Sequence, residues 1–203
     1  MTLDALRPLA DRLMAPLVSG AKRVGLTPNG ISVLALGAAI GAAGSFYAAR
    51  ETQLLYLVGA LFVLLNGVLD LVDGNLAREL GTDSRAGDLL DHVLDRYADI
   101  LIIGGLAAGL GAYALGLAAI TGVLMTSYLG TQAQAVDLDR VYGGVLGRAD
   151  RLALTGVVTG VAALVELTVA GFTPVGWLLI VFAIVGHVTA LQRFYYAMKA
   201  LSE

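Results

Sequence analysis

Eight of the sixteen Asp and Glu residues in this 203-residue chain lie between Asp70 and Asp99, and their spacing is helical. Asp70, Asp73, Gly74, Ala77 and Arg78 fall at i, i+3, i+4, i+7 and i+8, one stripe of a helix. Gly87, Asp91, Asp95 and Asp99 follow at steps of four on the next segment. Packed against each other, the two stripes bring Asp70, Asp73, Asp91 and Asp95 to one place. Four carboxylates held together repel one another unless cations intervene. An all-oxygen donor set suits hard divalent ions, so the pattern calls for two Mg²⁺ or Mn²⁺. A pyrophosphate brought to such a charge-balanced cluster needs a further cation, which Arg78 supplies. Gly74 and Gly87 leave space where a bulky group approaches a helix. These residues read as a two-metal site that handles phosphate.

The elements that carry them must be membrane helices. The chain is 58% hydrophobic and only 14% charged, with a mean hydropathy of +0.80. A soluble domain carries about 25% charged residues, so this one cannot cover a water-facing surface. A net charge of −3 offers no basic field for nucleic acid. The absence of cysteine excludes a disulfide scaffold, a thiolate zinc site and a cysteine nucleophile. Twenty-six glycines suit closely packed membrane helices.

A span needs about 20 apolar residues, and six segments qualify: 30–49, 53–72, 93–111, 113–136, 152–170 and 174–195. Residues 1–25 differ, with Leu3, Leu6, Leu9, Leu13, Met14 and Leu17 at helical spacing among Asp4, Arg7, Asp11 and Arg12. This stretch reads as an amphipathic interfacial segment, broken into short pieces by Pro8 and Pro16. The expected architecture is therefore one all-α membrane domain over 1–203, with 1–25 at the interface and 26–203 a six-span bundle. Arg7, Arg12, Lys22, Arg23, Arg78, Arg85, Arg140, Arg148, Arg151 and Lys199 fall at one set of span ends, against Arg50 at the other. The positive-inside rule then places both termini and the acidic cluster on the cytoplasmic side of the cell membrane.

The run Asp70-Leu-Val-Asp73-Gly74-Asn-Leu-Ala77-Arg78, eight residues, Gly87, three residues, Asp91, three residues, Asp95 resembles the signature of the CDP-alcohol phosphotransferases at every fixed position. The resemblance extends over nearly the whole chain. It implies six transmembrane helices with an N-terminal interfacial helix, a homodimer, and an enzyme of phospholipid biosynthesis. In that reaction the lipid phosphate of CDP-diacylglycerol or CDP-archaeol passes to the hydroxyl of a small polar alcohol and CMP leaves. By the same resemblance Asp70, Asp73, Asp91 and Asp95 hold the metals, and Asp95 also takes the acceptor's proton. Gly74, Ala77, Arg78, Gly87 and Ser84 lie with the CDP group. Leu26-Thr27-Pro28-Asn29-Gly30-Ile31-Ser32 is similar to a second family element whose Asn29, Gly30, Ile31 and Ser32 line the nucleotide pocket. An Asn in that place can equally serve as the helix N-cap.

A third region bears on the acceptor. Ser127-Tyr128 and Gly147-Arg148-Ala-Asp-Arg151 resemble the phosphatidylinositol-phosphate and archaetidyl-polyol-phosphate synthase branch, in which K-A-R-A-E lies between. Here that stretch is Gly130-Thr-Gln132-Ala-Gln134, without its Lys and Arg. Arg148 and Arg151, at i and i+3, can still grip one phosphate monoester. The expected acceptor is then a smaller polyol phosphate such as glycerol 3-phosphate, with inositol phosphate or an unphosphorylated alcohol such as serine as alternatives. Asp99 reads as a buried partner, Asp83 and Asp88 as solvated, and His92 and His187 as packing residues. Trp177, Tyr195 and Tyr196 fit an aromatic belt. Asn66 either faces the site or bonds a neighbouring helix, and Glu166 in the fifth span has no evident role. An ion transporter is the rival from another class, but no internal repeat supports it; a non-catalytic partner would be expected to have lost a signature residue.

Overall fold

The computed structural model describes residues 7–138 and 146–202, so Leu3, Asp4, Leu6 and Arg140 lie outside the described residues. Seven helices follow in order: α1 Arg7–Arg23, α2 Pro28–Ala48, α3 Leu55–Leu80, α4 Arg85–Leu110, α5 Tyr113–Ala135, α6 Arg148–Ala162 and α7 Pro174–Ser202. Their boundaries have local causes. Thr27 caps α2, its hydroxyl accepting from the Gly30 N–H, and Pro28 opens the helix where a missing N–H costs nothing. The cap of α2 is thus Thr27, and Asn29 is left for another role. Gly81 (φ +61°) and Gly111 (φ +66°) close α3 and α4 in the left-handed conformation that glycine adopts without strain.

The first helix corrects one expectation. It runs unbroken from Arg7 to Arg23 with Pro16 inside it. Pro8 falls in the first turn, where N–H groups lack helical partners anyway, and Pro16 removes a single bond without ending the helix. Met14, Val18 and Ala21 form its inner face, packed with Ile31, Val72 and Leu76. Lys22 Nζ reaches Glu79 at 2.7 Å and ties α1 to the end of α3.

The bundle is built on small residues, as expected where packing rather than water exclusion holds helices together. α2 packs on both α3 and α4, α5 on α7, and α6 on α3 and α7. A Cβ on Gly105 would lie 2.5 Å from the Ala43 backbone, so α4 and α2 touch main chain to main chain there. Gly122 and Gly186 make the same approach between α5 and α7. Phe46, Leu106, Leu179 and Phe182 fill the core around these contacts, each fully enclosed.

Four helices, α2, α3, α5 and α7, are long and apolar enough to cross a membrane by length and composition. In α4 the apolar run is interrupted by Asp95, Arg96 and Asp99. The fifth predicted span, 152–170, is helical only to Ala162. Beyond it the chain turns, and Val169 and Phe172 pair across Ala170 (φ +51°) and Gly171 (φ +82°). Glu166 sits exposed in this turn rather than inside a span. β-Branched Val165, Thr168 and Val169 favour extended backbone, a preference that an apolar window does not register.

Candidate active site

Asp70 and Asp73 stand on the last turns of α3, and Asp91 and Asp95 on the first half of α4. Both helices are held against α2, so the two acidic stripes converge beside its first turns. Asp70, Asp91 and Asp95 each offer one carboxylate oxygen, and these three atoms lie within 4.8 Å of one another. Asp73 lines the same small cavity together with Ser32, Asn66 and Arg148. Its carboxylate is buried and accepts from the Ser32 hydroxyl at 2.7 Å. Three of the four expected carboxylates therefore share one cluster, with the fourth at its wall.

The nucleotide-side residues also come together. Asn29, at the start of α2, lies against the start of α4: a Cβ on Gly87 would meet Asn29 Oδ1 at 3.5 Å and Ser84 Oγ at 3.2 Å. Ser84 caps α4, accepting from the Gly87 N–H. Arg78 runs back along its own helix, its Nη1 3.7 Å from where a Gly74 Cβ would be, and donates to Asn75. Ile31 is buried and packs with Leu76, fixing α2 against α3 at this end, while Gly30 and Ala77 remain partly open.

Arg148 and Arg151 part company. Arg148, the first residue of α6, turns into the cluster, with Nη1 2.8 Å from Asp70 Oδ2 and Nη2 2.7 Å from Asp95 Oδ1. Asn66, buried one turn before Asp70, meets both possibilities raised for it: it donates to the Ala35 carbonyl and accepts from Arg148. Arg151 is buried instead, donating to Asp99 Oδ2 at 2.9 Å and to the Leu146 carbonyl. Asp99 is thus the buried partner expected of it. Arg96, absent from the sequence reading, completes this second layer: it lies 3.6 Å from Asp95 and 3.7 Å from Asp99, and donates to the Ser127 hydroxyl. Its i, i+3 relation to Asp99 was the available signal. His92 bonds the Asp88 carbonyl near the surface, and His187 approaches the Thr121 hydroxyl of α5.

From Asp70 and Arg148 a groove of about 710 Å³ runs between α3 and α6. Leu57, Leu61, Leu64, Leu152 and Val157 line it, and Gly156 and Gly160 keep its α6 wall low. A polar, acidic pocket thus opens directly into an apolar channel.

The donor chemistry fits a divalent metal. Three carboxylates within mutual reach supply only oxygen ligands, as Mg²⁺ and Mn²⁺ prefer. Residues 25–188 match the CDP-alcohol phosphatidyltransferase family, and the chain belongs to it: a transferase acting in phospholipid synthesis, with a metal-binding aspartate cluster. The chain is 32% identical to the phosphatidylinositol phosphate synthase of Streptomyces avermitilis, over 92% of this chain and 78% of that one. It is 29% identical to the archaetidylinositol phosphate synthase of Methanothermobacter thermautotrophicus, over 98% and 95%. Among solved structures it resembles the Mycobacterium tuberculosis phosphatidylinositol phosphate synthase with CDP-DAG bound, with a TM-score of 0.77 and 26% identity over 92% and 94% of the two chains. The same protein in complex with manganese and citrate gives a TM-score of 0.77 at 25% identity, over 90% of this chain and 88% of that one.

Proposed function

We propose that this protein transfers the lipid phosphate of a CDP-activated lipid to a hydroxyl of inositol phosphate, releasing CMP. The observation that carries this reading is the meeting of the Asp70, Asp91 and Asp95 carboxylates with Arg148 at the mouth of the apolar α3–α6 groove. A substrate with a charged head and hydrocarbon tails matches that join of polar pocket and apolar channel. Asn29, Gly30, Ile31, Ser32, Gly74, Ala77, Arg78, Ser84 and Gly87 frame the CDP end, and the tails follow the groove. Two divalent ions held by Asp70, Asp73, Asp91 and Asp95 would neutralise the pyrophosphate and polarise its phosphoryl oxygens. Asp95 receives the proton of the attacking hydroxyl. The acceptor oxygen bonds to the lipid-side phosphorus, the bridging P–O bond of the pyrophosphate breaks, and CMP departs with the electron pair.

For the acceptor, the bacterial relative is a phosphatidylinositol phosphate synthase and the archaeal one an archaetidylinositol phosphate synthase, which favours inositol phosphate, the alternative, over the expectation of glycerol 3-phosphate. The missing Lys and Arg at Gly130 and Gln132 argued for fewer phosphate contacts, but that count omitted Arg96 beside Ser127. Arg96, Arg148 and Arg151 together give the acceptor side its positive charge. In the membrane, α2 to α7 form the six crossings, with the acidic ends of α3 and α4 at the cytoplasmic face, as the Lys and Arg distribution favours.

The test is CMP release from CDP-diacylglycerol with Mg²⁺ across inositol phosphate, glycerol 3-phosphate, inositol and serine. Inositol phosphate is expected to exceed inositol by about 100-fold or more in kcat/KM, because a site built around a polar group discriminates strongly against an analogue that lacks it. Preference for glycerol 3-phosphate or serine would overturn the acceptor assignment and leave the transfer chemistry standing.

A further inference from the structure

We infer that the α3–α6 groove is shaped for one methyl-branched hydrocarbon chain of the CDP-lipid, and that Gly156 and Gly160 determine this selectivity. The inference rests on the transferase reading above and names the class of lipid that it uses. The groove starts at Asp70 and Arg148 in the acidic pocket and ends at Leu57 and Gly160. The stretch of α3 from Leu57 to Asp70 gives it a length of about 20 Å at the helical rise. Its volume of about 710 Å³ then corresponds to a mean cross-section of about 35 Å². A straight chain packed at ordinary carbon–carbon contact fills about 20 Å², so one leaves much of the groove empty and two exceed it. A chain thickened by methyl branches fits between those limits.

The extra width has a definite source. Gly156 and Gly160 stand one turn apart on the α6 wall, and a Cβ on either would meet no atom of the protein within 4 Å. Glycine weakens a helix relative to alanine, and here no close approach of another element explains it. Gly67, across the groove, is the contrasting case: Leu152 Cδ1 lies 3.5 Å from the place of its Cβ, so packing within the fold accounts for it. The two α6 glycines instead leave notches that open into the groove. Side chains in those notches would narrow it toward the section of a straight chain. Leu61, Leu64 and Val157 are exposed along its rim, so a chain enters sideways from the bilayer while its head group stays at the carboxylates. Continuity with the acidic pocket makes the occupant a chain of the substrate rather than of a bystander lipid.

The test is CMP release by the full-length protein, with Mg²⁺ and the acceptor preferred in the test above, from two CDP-activated dialkylglycerols. They share head group, ether linkage and chain length; one has straight chains and the other carries methyl branches at regular intervals. Wild type is expected to use the branched lipid at least as well as the straight one in kcat/KM. In Gly156→Val/Gly160→Val the ratio of branched to straight falls about 10-fold, since a single carbon too many in an apolar pocket costs that much or more. Gly156→Ala/Gly160→Ala moves the ratio in the same direction by less, and carries the test if the valine variant does not fold. A wild type that turns over only the straight lipid overturns the inference. So does an unchanged ratio in the folded variants, which would mean that something else covers the groove, a second copy of the chain included. No CMP from either lipid defeats the transferase reading itself, and this inference with it.

Discussion

Asp95→Asn is expected to keep CDP-lipid binding and to lose about 10²–10⁴-fold in turnover, the range that a positioned general base contributes. The amide has the size of the carboxylate, so the packing of α4 against α2 is retained. It lacks the charge and the basic oxygen. In the structure Asp95 sits where those matter most: one oxygen pairs with Arg148 and the other faces Arg96. The side chain lines the cavity shared by Asp70, Asp73 and Asp91. Single-turnover CMP release, measured beside CDP-lipid binding, checks both halves of this expectation. A variant that keeps more than about a tenth of the wild-type rate would remove Asp95 as the base.

The second large effect belongs to stability. Asp99→Leu leaves Arg151 buried without its acid, and breaking one side of a buried ion pair costs about 3–5 kcal/mol. Asp99 and Arg151 are 5% and 7% exposed and lie 2.9 Å apart. Arg96, 3.7 Å from the same carboxylate, loses part of its balance too. Thermal unfolding in detergent should show the loss, and the double variant Asp99→Leu/Arg151→Met should recover most of it by replacing the pair with apolar groups. A single variant as stable as wild type would mean that water or another group satisfies Arg151.

The acidic centre was legible in the sequence because its information is periodic. Asp70 and Asp73 on one helix and Asp91 and Asp95 on the next share faces by spacing alone, and the structure brings three of them within reach of one another. Asn29 and Gly87 were legible as members of two separate motifs, but their contact at the starts of α2 and α4 depends on packing. Arg148 lies far along the chain from Asp70, and no spacing rule joins α6 to α3. Its ion pairs therefore came only from the fold. Arg96 was passed over among so many acids, although its i, i+3 relation to Asp99 marked it as a partner of that residue. The fifth span misled for a different reason. Residues 152–170 are apolar throughout most of their length, and hydropathy does not distinguish a helix that ends at Ala162 from one that continues. The apolar groove was likewise invisible, since Gly156 and Gly160 read as packing glycines until α3 was placed opposite them.

The most direct measurement is CMP release from CDP-diacylglycerol and inositol phosphate by the purified protein, before and after divalent ions are removed with EDTA. Release should cease in EDTA and return when Mg²⁺ or Mn²⁺ is restored, because Asp70, Asp73, Asp91 and Asp95 cannot hold a pyrophosphate without cations between them. Undiminished release in EDTA would contradict a metal-dependent transfer at this cluster.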